Sequence, residues 1–126
     1  ATCVEHSPFM GGKLPIVLVR EKVVAALFGA DPVCCILGET GSGKSTQVPQ
    51  VILHEAAERG VPARIVVTQP RRVAAVNLAR RVAEELGEPG VGGKVGYRIG
   101  GESRPGHAID FCTTGYLLRL LVNAPE

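Results

Sequence analysis

Nine consecutive residues, Gly38-Glu39-Thr40-Gly41-Ser42-Gly43-Lys44-Ser45-Thr46, satisfy the pattern G-x-x-x-x-G-K-[ST] at every required position. The apolar run before them, Val33-Cys34-Cys35-Ile36-Leu37, predicts a short buried strand, and Lys44 begins a helical pattern. Strand, glycine loop and helix in that order build a cradle for phosphate. Gly41 and Gly43 let the backbone curl so that successive N–H groups face inward, and the helix N-terminus adds the positive end of its dipole. The stretch therefore predicts a nucleoside triphosphate site. Lys44 carries a full positive charge to the β- and γ-phosphates, the Ser45 hydroxyl joins the shell of a Mg²⁺ ion held mainly by phosphate oxygens and water, and Thr46 reaches an α-phosphate oxygen. A glycine-rich turn that binds nothing is the bland alternative, and the agreement of pattern with context argues against it.

A chain of 126 residues has room for one such domain at most. With only five aromatic residues (three Phe, two Tyr, no Trp) and 16 Gly, its core must come from Val, Leu, Ile and Ala. The net charge of +2 hides an asymmetry. Residues 1–60 carry five Lys/Arg against six Asp/Glu, whereas residues 61–126 carry nine against six. The basic second half suits a polyanionic partner, although an exposed Arg-rich helix face gives the same count.

Cys3, Cys34, Cys35 and Cys112 show no C-x-x-C spacing, and the last three lie in apolar runs where free Cys behaves as a small buried hydrophobe. That usage points to a reducing intracellular compartment, nuclear or cytoplasmic. His6, His54 and His107 lack ligand-like neighbours and are not expected to bind metal. No signal peptide or membrane span is apparent, so no membrane partner is expected. A start without Met and a tail of Val122-Asn123-Ala124-Pro125-Glu126 read as an excised piece of a longer chain.

Residues 1–13 carry no periodic pattern and read as a flexible leader. A helix is expected over 14–28, with Val17, Val24, Leu27 and Phe28 on one face, and a strand over 33–37. The next helix, 44–59, is expected to bend at Pro49 and stop at Gly60. Residues 64–68 form a second apolar strand. Residues 72–86 form an amphipathic helix whose stripe is Ala75, Leu78, Ala79, Val82 and Leu86, stopped by Gly87. Strands are expected over 94–99 and 108–112, with a turn at Arg104-Pro105-Gly106 between them. Thr113 or Thr114 can cap a last helix over 116–122. Alternating strands and helices predict an α/β fold with a largely parallel sheet flanked by helices.

Four stretches then fall into one order: the phosphate loop continued as Gln47-Val48-Pro49-Gln50, Thr68-Gln69-Pro70-Arg71-Arg72-Val73-Ala74-Ala75, Val95-Gly96-Tyr97-Arg98-Ile99, and Cys112-Thr113-Thr114-Gly115-Tyr116-Leu117-Leu118-Arg119. Together they resemble the DEAH/RHA superfamily-2 helicases, with motifs I, Ia and Ib among them in order. The resemblance covers nearly everything from Leu14 to the end. It implies that residues 14–126 are part of the first RecA-like, ATP-binding domain of an ATP-dependent RNA helicase. It further implies ATP and Mg²⁺ as cofactors, with Lys44 and Ser45 serving them, and an adenine stacked on Arg81. Arg71, Arg72, Thr113, Thr114 and Gly115 would touch a single-stranded RNA backbone, or DNA, in contacts blind to sequence. The remainder of the parent helicase, including a second RecA-like domain, is the implied protein partner.

Two departures stand out. Where the family commonly has Arg-Phe or Arg-Leu after the Val-Gly-Tyr stretch, this chain has Gly100-Gly101. Motif II is missing: Asp110 is not followed by Glu, and family spacing puts Asp-Glu-x-His shortly beyond Glu126. The expected fold is thus an incomplete RecA-like domain lacking the motif II strand. A different phosphate-loop protein, such as a small kinase or a regulatory nucleotide-binding module, remains the alternative.

Overall fold

The computed structural model describes residues 2–5, 20–30, 34–37 and 43–123. They fall into two compact units, Ala1–Val61 and Pro62–Glu126.

In the first unit, β1 (Thr2–Glu5) pairs in parallel with β2 (Cys34–Leu37), Thr2 opposite Cys34 and Glu5 opposite Leu37. This corrects the reading of residues 1–13 as a leader for the four residues of β1. A strand of four residues offers too few positions for a period to stand out in the sequence. Helix α1 (Arg20–Leu27) and α2 (Lys44–Glu58) pack against one another. The buried Val23 gathers Leu27, Ile36 and Val48 around it. Val23, which the expected face left out, is therefore the centre of that cluster, while Val24 and Phe28 are half-buried and Val17 lies outside the described residues.

Helix α2 ends where it should. Gly60 has φ 66, its N–H donates to Ala57 O at 3.1 Å, and Val61 N–H donates to Ala56 O at 2.9 Å, a Schellman closure. Pro49 is buried inside the helix. Cys35 is exposed, contrary to the expectation that it packs as a small hydrophobe.

The second unit holds a four-stranded sheet in the order β3-β6-β4-β5: β3 (Ile65–Gln69), β4 (Val95–Ile99), β5 (Glu102–Arg104) and β6 (Ile109–Thr113). β6 is parallel to both β3 and β4, and β5 returns antiparallel beside β4. Every residue of β6 is buried, as a central strand covered on both faces requires. α3 (Arg72–Glu85) packs on β3, β4 and β6 through Ala75, Ala79, Val82 and Ala83. Leu78 and Leu86 are half-buried at the margin of that stripe. Gly87, with φ 76, closes α3 by the same pair of bonds, to Glu84 O at 3.0 Å and from Glu88 N–H to Ala83 O at 2.9 Å. α4 (Thr114–Asn123) packs on β6 and β3.

β5 was not expected. Glu102-Ser103-Arg104 is polar and wholly exposed, so it shows no apolar alternation. The Gly100-Gly101 pair between two strands is the signal that marks a hairpin. Gly101 has φ 82 and supplies the conformation that the two-residue loop needs. No helix among the described residues is long and apolar enough to cross a membrane.

Candidate functional site

Of the nine residues of the phosphate loop, Gly38, Glu39, Thr40, Gly41 and Ser42 lie outside the described residues. Gly43 sits in the left-handed region at φ 92, ψ 11 and leads into α2, whose first residues are Lys44, Ser45 and Thr46. A Cβ at Gly43 would be strained in this conformation, which explains the glycine. Gln47 N–H donates to Gly43 O at 2.8 Å and the Thr46 hydroxyl donates to the same carbonyl at 3.3 Å, so the first turn is tied back onto the loop. Gln50 Nε2 donates to Thr46 O at 2.8 Å. No acidic side chain occupies this first turn, so within the turn no negative charge opposes the positive end of the dipole. The end of α2 thus fits a phosphate group. Among the described residues there is no group of three His, Cys, Asp or Glu for a divalent cation, and the Ser45 hydroxyl is an oxygen that could join phosphate oxygens around one.

The second unit brings its own predicted residues to one edge. In the β3–β6 ladder Gln69 lies opposite Thr113, so both strands finish at the same level. β3 then runs into Arg71 and Arg72, and β6 into Thr114 and Gly115. β4 finishes on this side too, with Arg98 opposite Cys112 and the turn at Gly100-Gly101 just beyond. Three strand ends therefore place their following loops on the carboxyl side of a parallel sheet, where open α/β sheets bind ligands.

Arg71 is the extended N-cap of α3 (φ −117, ψ 140), makes no side-chain cap, and is exposed. Arg72 is exposed as well, and its Nη2 donates to Gly100 O at 2.9 Å. Thr113 is buried, and its Oγ1 accepts from Tyr116 N–H at 3.4 Å, capping α4. Thr114 and Gly115 are exposed. Neither α3 nor α4 has an acidic residue in its first turn. Two positive helix ends and two arginines lie along one edge, an arrangement that could meet a polyanion backbone. Arg81 projects from α3 and pairs with Glu85 at 3.6 Å.

Asp110 is engaged elsewhere. It is 2% exposed, its Oδ1 accepts from Gly106 N–H at 2.7 Å, and its Oδ2 accepts from Arg98 Nε at 3.1 Å and faces Arg64 Nη2 at 3.5 Å. Burial lowers the pKa of Arg98, but the hydrogen bond and charge of Asp110, with smaller help from Tyr116, raise it further, and the net shift is upward. Among the described residues, His54 is exposed and faces Glu58 at 3.9 Å, and His107 is exposed.

No family model matches the chain. In sequence it is 46% identical over 115 residues to RNA editing associated helicase 2 of Trypanosoma brucei brucei, across 90% of this chain and 5% of that protein. It is 44% identical over 118 residues to ATP-dependent RNA helicase DHX30 of Gallus gallus, across 90% of this chain and 9% of that one. In structure it is similar to the DEAH/RHA helicase HrpB of Escherichia coli, with a TM-score of 0.78 and 35% identity, covering 90% of this chain and 14% of that one. The chain spans less than a tenth of the length of these two curated relatives.

Proposed function

Since this chain belongs, over 90% of its length, to the DEAH/RHA-type helicases, we propose that residues 14–126 are part of the first RecA-like domain of an ATP-dependent RNA helicase. The parent couples ATP hydrolysis to movement along, or unwinding of, a nucleic-acid strand. The observation that carries this reading is the shared edge at the ends of β3, β6 and β4, where Arg71, Arg72, Thr114 and Gly115 stand together. The helicase relatives favour it over a small kinase or a regulatory nucleotide-binding module.

In this reading Lys44 and the first-turn amides of α2 hold the phosphates, with Gly38 to Ser42 completing the loop. The Ser45 hydroxyl orients toward Mg²⁺, Thr46 supports the loop, and Arg81 leaves its exposed pairing with Glu85 to stack on adenine. When bound, ATP with Mg²⁺ supplies the γ-phosphoryl group whose hydrolysis powers the parent. Strand contacts from the start of α3 and the start of α4 go to phosphate and sugar, and Thr113 acts by capping α4. Single-stranded RNA is the expected partner, together with the second RecA-like domain of the parent.

Calorimetric titration of the 126-residue chain with ADP tests the nucleotide half. A charge-assisted contact contributes about 1.5–3 kcal/mol, so Lys44→Ala should weaken binding by about 10- to 100-fold. Equal affinity of the two proteins would remove the assignment.

A further inference from the structure

Arg71 and Arg72 are neighbours in sequence but stand in different surroundings. The Arg72 guanidinium reaches across 28 residues to the Gly100 carbonyl at 2.9 Å. Arg71 has no hydrogen-bond or ion-pair partner among the described residues. Gly100 and Gly101 are the whole loop of the β4–β5 hairpin. The loop has no side chain with which to hold itself. A Cβ at Gly100 would meet no atom within 4 Å among the described residues, and φ there is not in the left-handed region. Beyond the ladder that pairs Ile99 with Glu102, the hydrogen bond from Arg72 ties the turn to α3. On the same side, Arg72 joins Val73, Val76, Asn77, Arg80 and Ile99 around a groove of about 330 Å³ between α3 and the end of β4.

We propose that the two arginines divide the work: Arg72 is a positioning residue that pins the β4–β5 turn to the start of α3, and Arg71 is the one of the pair that meets a strand phosphate. One Nη2 donor on the Gly100 carbonyl fixes where the Arg72 guanidinium stands, so a phosphate meets its remaining donors only at that place. Arg71, with no such anchor among the described residues, can follow the strand. The pin also keeps the glycine turn at the edge where the β3 and β6 loops emerge, which the Gly100-Gly101 sequence by itself could not do, because glycine is the most mobile residue in an unheld loop. The phosphate half rests on the strand-binding reading above. The pin does not.

Two measurements on the 126-residue chain separate the roles: amide hydrogen exchange at residues 99–102, and the salt dependence of binding to a short poly-U strand by fluorescence anisotropy. Arg72→Ala is expected to speed exchange in the turn about tenfold, the loss of one charge-assisted bond, with the salt slope unchanged. Arg72→Lys, which keeps a donor, restores most of the protection. Arg71→Ala leaves exchange unchanged and makes the slope of log K against log salt shallower by about 0.7, one phosphate on a single strand. A shallower slope in Arg72→Ala, or unchanged exchange in the turn, overturns the proposal. If no protein binds poly-U, the strand-binding reading fails, and the exchange comparison still decides the pin.

Discussion

Asp110 occupies the position that invites confusion with a metal-holding carboxylate, and its neighbours show what it does instead. Both of its oxygens are engaged inside the protein, one with the Gly106 amide and the other with Arg98 and Arg64. The Gly106 bond holds the chain where it crosses β4. A Cβ on Gly106 would lie 2.6 Å from Gly96 N, and a Cβ on Gly96 would overlap the backbone of Arg104 and Gly106. Neither glycine has a positive φ, so contact with the other backbone, rather than conformational freedom, demands glycine. Gly96→Ala should therefore cost on the order of 3 kcal/mol. Asp110→Asn keeps an acceptor for Gly106 and loses the charge facing Arg98, for about 1–2 kcal/mol, the 62% exposed Arg64 adding little. Urea midpoints check the order. A Gly96→Ala midpoint equal to that of the parent would show that the two backbones do not cross this closely.

At the level of elements, the β4–β5 hairpin carries a titrating pair. Tyr97 OH donates to Glu102 Oε1 at 2.7 Å. That hydrogen bond, then burial, then the negative charge of Glu102 raise the Tyr97 pKa, against a smaller lowering by Arg104 and Arg80. A phenol that keeps its proton longer when folded stabilises the fold fully below its ordinary value of about 10. That contribution is lost as pH climbs from there through the raised folded value. Tyrosinate absorbance should show Tyr97 ionising above the ordinary tyrosine value. In Tyr97→Phe that step should disappear and melting should vary less with pH above about 10. A variant with the parent's alkaline profile would count against the pair. The hairpin also marks a limit of periodicity: β4 was visible as an apolar run, while exposed, polar β5 was announced only by its glycines.

For the whole chain, the described carboxylates bear on turnover. Phosphoryl transfer requires positioned water and charge neutralisation as well as a phosphate cradle. Asp110 is committed to Arg98, Arg64 and Gly106, and the described residues hold no acidic cluster for a cation. The 126-residue chain is expected to bind nucleotide through Lys44 and yet show near-background phosphate release, with or without RNA. A coupled phosphate assay reads this directly. Turnover that depends on Lys44 and rises with RNA would mean that a carboxylate within residues 1–126 does the catalytic work after all.

What the sequence determined by itself was everything written in local chemistry. The helices over Lys44–Glu58 and Arg72–Glu85 end at Gly60 and Gly87 because a left-handed C′ residue is a short-range requirement. The strand before the phosphate loop and the apolar stripe of α3 follow from periodicity within one element. The tertiary structure alone decided which strands are neighbours: β6 between β3 and β4, and β1 beside β2. It also decided that Arg72 meets Gly100, that Asp110 closes on Arg98 and Gly106, and that Gly96 lies against Gly106. Pairings of this kind join backbones distant along the chain, and the choice among strands is made by how their buried faces fill space together. No window of sequence carries that information.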